Sequence, residues 1–238
     1  MADLTGRTAL VTGGGRGIGA GIVRTLATAG ADVAINYARN SDAADALAEE
    51  VRALGRRAHT YQADVSDYEQ CEAMATAALA DLGPIAILVN NAGIASRGNA
   101  IADTDPAEMR RVVETHAFGS FYMSQLLVPQ MRELPRGDVI MISSGATQSL
   151  SGRGGPYNMG KTAMEAVAFT LAKEERANGI HVNIVAPGLV ETDMGKRLVR
   201  ATRGVEDIRE LDAGSPFGRV CQPEDIANAV LYLVGDEG

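Results

Sequence analysis

Short apolar, β-branched runs alternate along the chain with longer stretches whose apolar positions recur at helical spacing. The runs cover 8–13 (TALVTG), 32–37 (DVAINY), 58–64 (AHTYQAD), 85–93 (IAILVNNAG), 138–144 (DVIMISS) and 180–188 (IHVNIVAPG). Between them, Ile18, Ile22 and Leu26, and later Met164, Ala168 and Leu171, each mark one apolar face of a helix. Gly30 and Gly179 stand where two of these helices would end, each followed by a strand run. Nearly continuous apolar strands in βα alternation predict an α/β fold: a doubly wound, Rossmann-like parallel sheet in three layers. In such a sheet ligands bind at the carboxyl ends of the strands.

The chain has 238 residues, 46% of them apolar, which suits a single domain over 1–238. Its net charge is −8 and its 22 basic residues are scattered, which argues against nucleic acid or an anionic membrane as a partner. No run approaches the ~18 apolar residues of a membrane span. The N-terminus (MADLTGRTALVTGGG) lacks the regions of a signal peptide, so a cytoplasmic protein is expected. Cys71 and Cys221 are isolated, with no CxxC and no histidine at ligand spacing, so two reduced thiols and no metal are expected.

Unusual residues collect at the predicted carboxyl ends. After the first strand comes TGGGRGIG, containing Gly13, Gly15, Arg16, Gly17, Ile18 and Gly19. Gly13 would permit the tight turn, Gly17 the approach of backbone to a pyrophosphate, and Gly19 the packing of helix on strand, with the phosphates at the helix N-terminus. The second strand ends at Tyr37, where a fold preferring NAD would usually offer a carboxylate to the ribose. With no such carboxylate, and with Arg16 and Arg39 available to a 2′-phosphate, NADP(H) is favoured and NAD(H) stays open. Asp64 and the Val65 backbone end the third strand and are placed to cap an adenine.

The segment 143–161 reads SSGATQSLSGRGGPYNMGK. Tyr157 and Lys161 are four residues apart, so on a helix they share a face about 6 Å apart along the axis. Ser144 precedes Tyr157 across a loop-like stretch that can return its hydroxyl to the phenol. Ser143 competes for that role. Taken alone, Tyr157 and Lys161 would read as a helix-start aromatic and an exposed helical charge.

Taken together, TGGGRGIG, NNAG at 90–93, Ser144 with Tyr157 and Lys161, and Pro187-Gly188 followed by Thr192 resemble the classical short-chain dehydrogenase/reductase family over nearly the whole chain. Within it the chain looks most like the 3-oxoacyl-acyl-carrier-protein reductase type. That resemblance implies Tyr157 as general acid and base, with Lys161 as the cation that tunes it and binds the nicotinamide ribose. It implies Ser144, thirteen positions before the tyrosine, as the hydroxyl that holds the substrate oxygen. It also implies that Asn91 holds the cofactor or the central strand ends, that Ala92 and Gly93 border the cofactor, and that Pro187, Gly188, Val190 and Thr192 line the nicotinamide.

Two features depart from the family pattern. Where the helix before the serine strand usually carries an asparagine three residues before a glycine, this chain has His116; an imidazole could pass a proton in its place or simply pack. The sequence also stops at LYLVGDEG, without the edge strand and glycine-rich tail expected next. Residues 190–219 read as a lid over the substrate, with Leu198, Val199, Ile208 and Leu211 as apolar anchors. Its Arg197, Arg200 and Arg203 could meet an acyl carrier protein or an acyl phosphopantetheine. The expected activity is NADPH-dependent reduction of a 3-oxoacyl thioester or similar ketone by a homo-oligomer, a dimer or tetramer. The alternatives are oxidation of a small secondary alcohol or sugar, and a non-catalytic NADP(H) sensor or scaffold.

Overall fold

The computed structural model describes residues 2–235. Six parallel strands form one sheet in the order β3-β2-β1-β4-β5-β6. They are β1 (Thr8–Val11), β2 (Asp32–Tyr37), β3 (Ala58–Gln62), β4 (Ile87–Asn90), β5 (Gly137–Ile142) and β6 (Ile180–Val185). The helices are α1 (Gly17–Thr28), α2 (Ser41–Ala53), α3 (Tyr68–Leu82), α4 (Pro106–Val113), α5 (Gly119–Met131), α6 (Ala146–Ser149), α7 (Gly155–Glu175), α8 (Asp193–Arg203) and α9 (Pro223–Val234).

The pleat explains the three layers. Ala9, Val11, Val33, Ile35, Ile87 and Val89 turn to one side and pack with Ile22 and Leu26 of α1, Leu47 and Val51 of α2 and Val230 of α9. Leu10, Ala34, Leu88, Val139 and Met141 turn to the other, against Met74 of α3, Leu127 of α5 and Met164 of α7. The inner strands β1, β4 and β5 are buried on both faces and nearly apolar throughout, whereas the edge strand β3 mixes buried and exposed positions. All strands but β2, which matches its run, end before their sequence runs do: the polar tails of 85–93, 138–144 and 180–188 leave the sheet as loops.

Among the described residues β6 is the outermost strand on its side; the last residues, 236–238, lie outside them. The segment at 190–219 contains α8 and a 3-10 turn, Ile208–Gly214. Val199, Ile208 and Val220 form its small core, with Leu211 partly buried against it. Leu198 is 52% exposed and anchors nothing, because one step along α8 from Val199 it faces solvent.

At the amino ends of the strands, Asp138 is fully buried between two arginines. Arg7 Nη2 reaches its Oδ2 at 2.5 Å, and Arg136 donates from Nε and Nη2 at 3.0 Å. The same guanidiniums donate to the carbonyls of Val234, Leu233 and Gly235. These are carbonyls at the end of α9 that no helical N–H can reach.

Candidate active site

The turn after β1 is shaped by its glycines. Gly13 and Gly17 have φ of +59° and +54°, in the left-handed region that disfavours other residues. A Cβ on Gly19 would collide with the Gly13 carbonyl, so α1 sits closer to β1 than any side chain allows. Gly15 is held against Ala44 of α2, where a Cβ would come within 3.2 Å. Ile18 is half-buried against the core.

Polar groups from neighbouring strands fix this turn. Asn36, buried in β2, accepts from Gly13 N at 3.0 Å and donates to the carbonyls of Tyr61 and Ala63. Asn91 Nδ2 donates to the Thr12 and Gly13 carbonyls at 2.9 and 3.1 Å, while Thr12 Oγ1 accepts from the Asn91 and Ala92 amides. The ends of β1, β2, β3 and β4 are thereby locked into one rigid rim. Asn36 and Thr12 escaped sequence reading. The signal was present as a single amide inside the apolar run DVAINY, where a buried polar group must have partners.

At the end of β2, Tyr37 is half-buried and Arg39 exposed. Arg16 is exposed and lines a shallow cavity with Asp193, Lys196, Arg197 and Arg200 of the α8 segment. The Asp64 carboxylate accepts from Ser66 N and Oγ in a local turn, and Val65 is buried against α3 and α5. Thr192 caps α8 by accepting from Gly195 N at 3.1 Å, and Val190 bridges to Cys221. The Pro187 carbonyl accepts from Gly145 N at 2.8 Å, tying the loop after β6, with Gly188 exposed on it, to the serine loop after β5.

Ser144, Tyr157 and Lys161 meet below this loop. Ser143 is diverted away: its Oγ donates to Glu165 at 2.5 Å, leaving Ser144 as the serine beside the phenol. Lys161 is 3% exposed, and its Nζ donates to the Ile142 carbonyl at 2.6 Å while standing 6.0 Å from the centre of the Tyr157 ring. Burial pulls its pKa down to about 7, against which Glu165 pushes upward. Burial raises the Tyr157 phenol above its ordinary value, and the neighbouring Ser144 hydroxyl offsets part of that rise. Desolvation is the dominant influence on the phenol and keeps its proton in place.

His116 sits in a π-helical turn, Glu114–Phe118, between α4 and α5. The extra residue turns its ring inward, and π-turns of this kind are common at functional sites. Nε2 lies 2.8 Å from the Ile94 carbonyl, and the ring meets Tyr157 edge-on at 5.1 Å. Glycines make the room: a Cβ on Gly93 would come within 2.5 Å of Cε1, and one on Gly160 within 3.1 Å of the His116 Cβ. Burial first, and Lys161 second, push its pKa down to about 3. The imidazole is therefore uncharged near neutral pH, with Nε2 placed on the Ile94 carbonyl.

A model of the short chain dehydrogenase family matches residues 7–203. The chain belongs to the short-chain dehydrogenase family. Among its relatives is the acetoacetyl-CoA reductase of Paracoccus denitrificans, 36% identical over 97% of this chain and 91% of the relative. Among solved structures it is similar to a 7α-hydroxysteroid dehydrogenase complexed with NADH and 7-oxo glycochenodeoxycholic acid, at TM-score 0.89 and 34% identity over 98% of this chain and 89% of that one. A blue fluorescent protein from a metagenomic library, in complex with NADPH, is likewise similar at TM-score 0.89 and 34% identity, with 99% and 93% covered. Family members are oxidoreductases, and no helix among the described residues is long and apolar enough to cross a membrane.

In this short-chain dehydrogenase the buried histidine carries a consequence for acid stability. The folded state holds His116 near pKa 3, whereas its ordinary value is 6.5. The unfolded chain therefore binds the extra proton first as pH falls. Stability is fully present above pH 6.5 and is lost as pH drops toward 3, by about 2 kcal/mol at pH 5. His116→Asn is expected to remove that slope. Urea unfolding of both proteins at pH 7 and pH 5 measures it, and equal pH dependence would refute it.

Proposed function

We propose that the protein is an NADPH-dependent reductase of the 3-oxoacyl-acyl-carrier-protein reductase type, acting on the ketone of a 3-oxoacyl thioester or a similar carbonyl. The observation that carries this reading is a protonated phenol, Tyr157, held beside Ser144 with a buried lysine one helical turn away. Reduction of a ketone needs a proton at oxygen as hydride arrives at carbon, and a phenol kept neutral by burial is a donor ready for that step.

The residues present fit a nicotinamide dinucleotide. The positive-φ glycines and the close contact at Gly19 leave backbone exposed for phosphates at the start of α1. Gly13, Gly15, Gly17, Ile18 and Gly19 would cradle the pyrophosphate; Arg16 and Arg39 would face a 2′-phosphate; Asp64 and Val65 would border the adenine; Asn91, Ala92, Gly93, Pro187, Gly188, Val190 and Thr192 would border the nicotinamide end. When bound, the cofactor supplies hydride. Ser144 orients the carbonyl oxygen, Tyr157 gives it a proton, and Lys161 in its ammonium form stabilises the phenolate left behind and holds the ribose. The α8 segment closes over the substrate, with Arg197, Arg200 and Arg203 on the side where an acyl carrier protein would approach, in a homo-oligomeric assembly. The likeness to a hydroxysteroid dehydrogenase supports the same site running as a secondary-alcohol dehydrogenase.

NADP(H) preference follows from Tyr37 in place of a carboxylate and from exposed Arg39. Arg39→Ala is expected to weaken NADPH binding about tenfold, the worth of one charge-assisted pair, and to leave NADH unaffected. Calorimetric titration with each cofactor tests this, alongside the rates of NADPH and NADH consumption with an acetoacetyl thioester. Equal loss for both cofactors would place Arg39 outside the discrimination, and turnover with neither would overturn the reductase reading.

A further inference from the structure

Tyr157, Lys161 and Glu165 follow one another at four-residue steps along α7, so they share a face with about 6 Å of rise between each pair. The first two belong to the site described above. Glu165 is absorbed by no part of that chemistry, yet its surroundings are built. Its Oε1 accepts from Ser143 Oγ at 2.5 Å and from Thr147 Oγ1 at 2.9 Å. Ser143 is 4% exposed at the end of β5, directly before Ser144, and Thr147 lies in α6. One carboxylate therefore joins β5, α6 and α7 at the point where the serine loop turns toward the phenol.

We propose that Glu165 is a positioning residue for the Tyr157 and Lys161 pair: held by Ser143 and Thr147 and one turn beyond Lys161 on the same face of α7, its carboxylate sets the electrostatic surroundings of the buried lysine and fixes the loop that carries Ser144. This rests on the assignment of Tyr157 and Lys161 to proton transfer.

The electrostatic environment of Lys161 gives the carboxylate no substitute. From α7, Tyr157 faces it as a neutral phenol. From the π-helical turn, His116 is neutral and would repel if charged. From β5 comes only the uncharged Ile142 carbonyl. Glu165 is the one group that raises the lysine pKa against the pull of burial. An ammonium taken from water needs an opposing charge or it sheds its proton. Ser143 fits the same picture: occupied by the carboxylate, it leaves the neighbouring serine as the hydroxyl facing the phenol.

The test is the pH dependence of kcat/KM for NADPH-driven reduction of an acetoacetyl thioester, in wild type, Glu165→Gln, Glu165→Asp and Tyr157→Phe. Glutamine keeps an oxygen that can accept from both hydroxyls and removes only the charge. Without it Lys161 loses its proton at lower pH, so the fall in activity on the alkaline side should begin about one pH unit earlier. The ratio of Glu165→Gln to wild type should stay near one below about pH 5.5 and drop about tenfold by pH 8. Glu165→Asp should fall between the two, and it carries the test alone if the glutamine variant does not fold. A loss that is uniform across pH, or no loss, overturns the role of Glu165, because a merely structural side chain would not move the limb. Substantial turnover in Tyr157→Phe overturns the underlying site assignment instead, so the two failures are distinguishable.

Discussion

Tyr157→Phe is expected to lower kcat for ketone reduction by about a thousandfold while NADPH affinity stays within about twofold. The substitution removes one oxygen and little else. A phenylalanine ring retains the edge-on contact with His116 at 5.1 Å and the packing beside Lys161. What disappears is the only protonated group beside Ser144 with a pKa suited to giving a proton to an alkoxide. Ser144 cannot replace it, since an alcohol is a far weaker acid, and His116 is uncharged and committed to Ile94. Lys161 is the remaining candidate. Its Nζ is directed at the Ile142 carbonyl, and its pKa near 7 would give any residual activity a steep alkaline fall. Steady-state rates with an acetoacetyl thioester, paired with a fluorescence titration of NADPH, separate the outcomes. A variant retaining a tenth of the rate with normal cofactor affinity would show that the phenol is not the proton donor.

Much of this arrangement was legible because it is written in local patterns. The six strand runs and the helices between them follow from burial on both faces of a parallel sheet, and the observed order β3-β2-β1-β4-β5-β6 is one of the doubly wound orders compatible with that alternation. The positive φ of Gly13 and Gly17 is the kind of demand that a glycine announces by its presence. The four-residue step from Tyr157 to Lys161 needed only the geometry of a helix. Other features depend on contacts between residues far apart in the chain. The thirteen-residue spacing to Tyr157 already favours Ser144 over Ser143, but the contact that occupies Ser143 comes from Glu165, twenty-two positions beyond it, and no pattern in the serine loop reveals that partner. The π-turn around His116 leaves the helical spacing of its neighbours nearly intact, so nothing in ETHAFGSF marks the extra residue. The imidazole's low pKa comes from burial and Lys161, which sequence spacing does not convey. Leu198 was assigned to an apolar face one residue too early, because a short helix with four basic residues offers two nearly equivalent readings of its buried side.

Asp138→Asn is expected to destabilise the fold by about 3 kcal/mol, lowering the melting temperature by roughly 10 °C, with the chemistry of the site unchanged. The carboxylate has no exposure and neutralises two guanidiniums that are themselves only about a fifth exposed, at 19% and 23%. An amide of the same shape retains one acceptor but presents an N–H₂ group to two cations. Two positive charges are then left facing one another without their shared partner. The loss spreads further, because Arg7 and Arg136 also supply the donors for the final carbonyls of α9. That helix packs on α1, the helix whose N-terminus faces the proposed phosphates, so loosening its end weakens one whole layer. Yet Asp138 lies at the amino end of β5 and Ser144 just beyond its carboxyl end, roughly 20 Å away at the rise of a strand. Stability and catalysis are thus carried by opposite ends of the same strand. Calorimetric melting together with kcat/KM at 25 °C distinguishes them: a large fall in melting temperature with unchanged kcat/KM is the expected pattern. An unchanged melting temperature would mean that the two arginines rehydrate freely and that the buried carboxylate contributes little net stability.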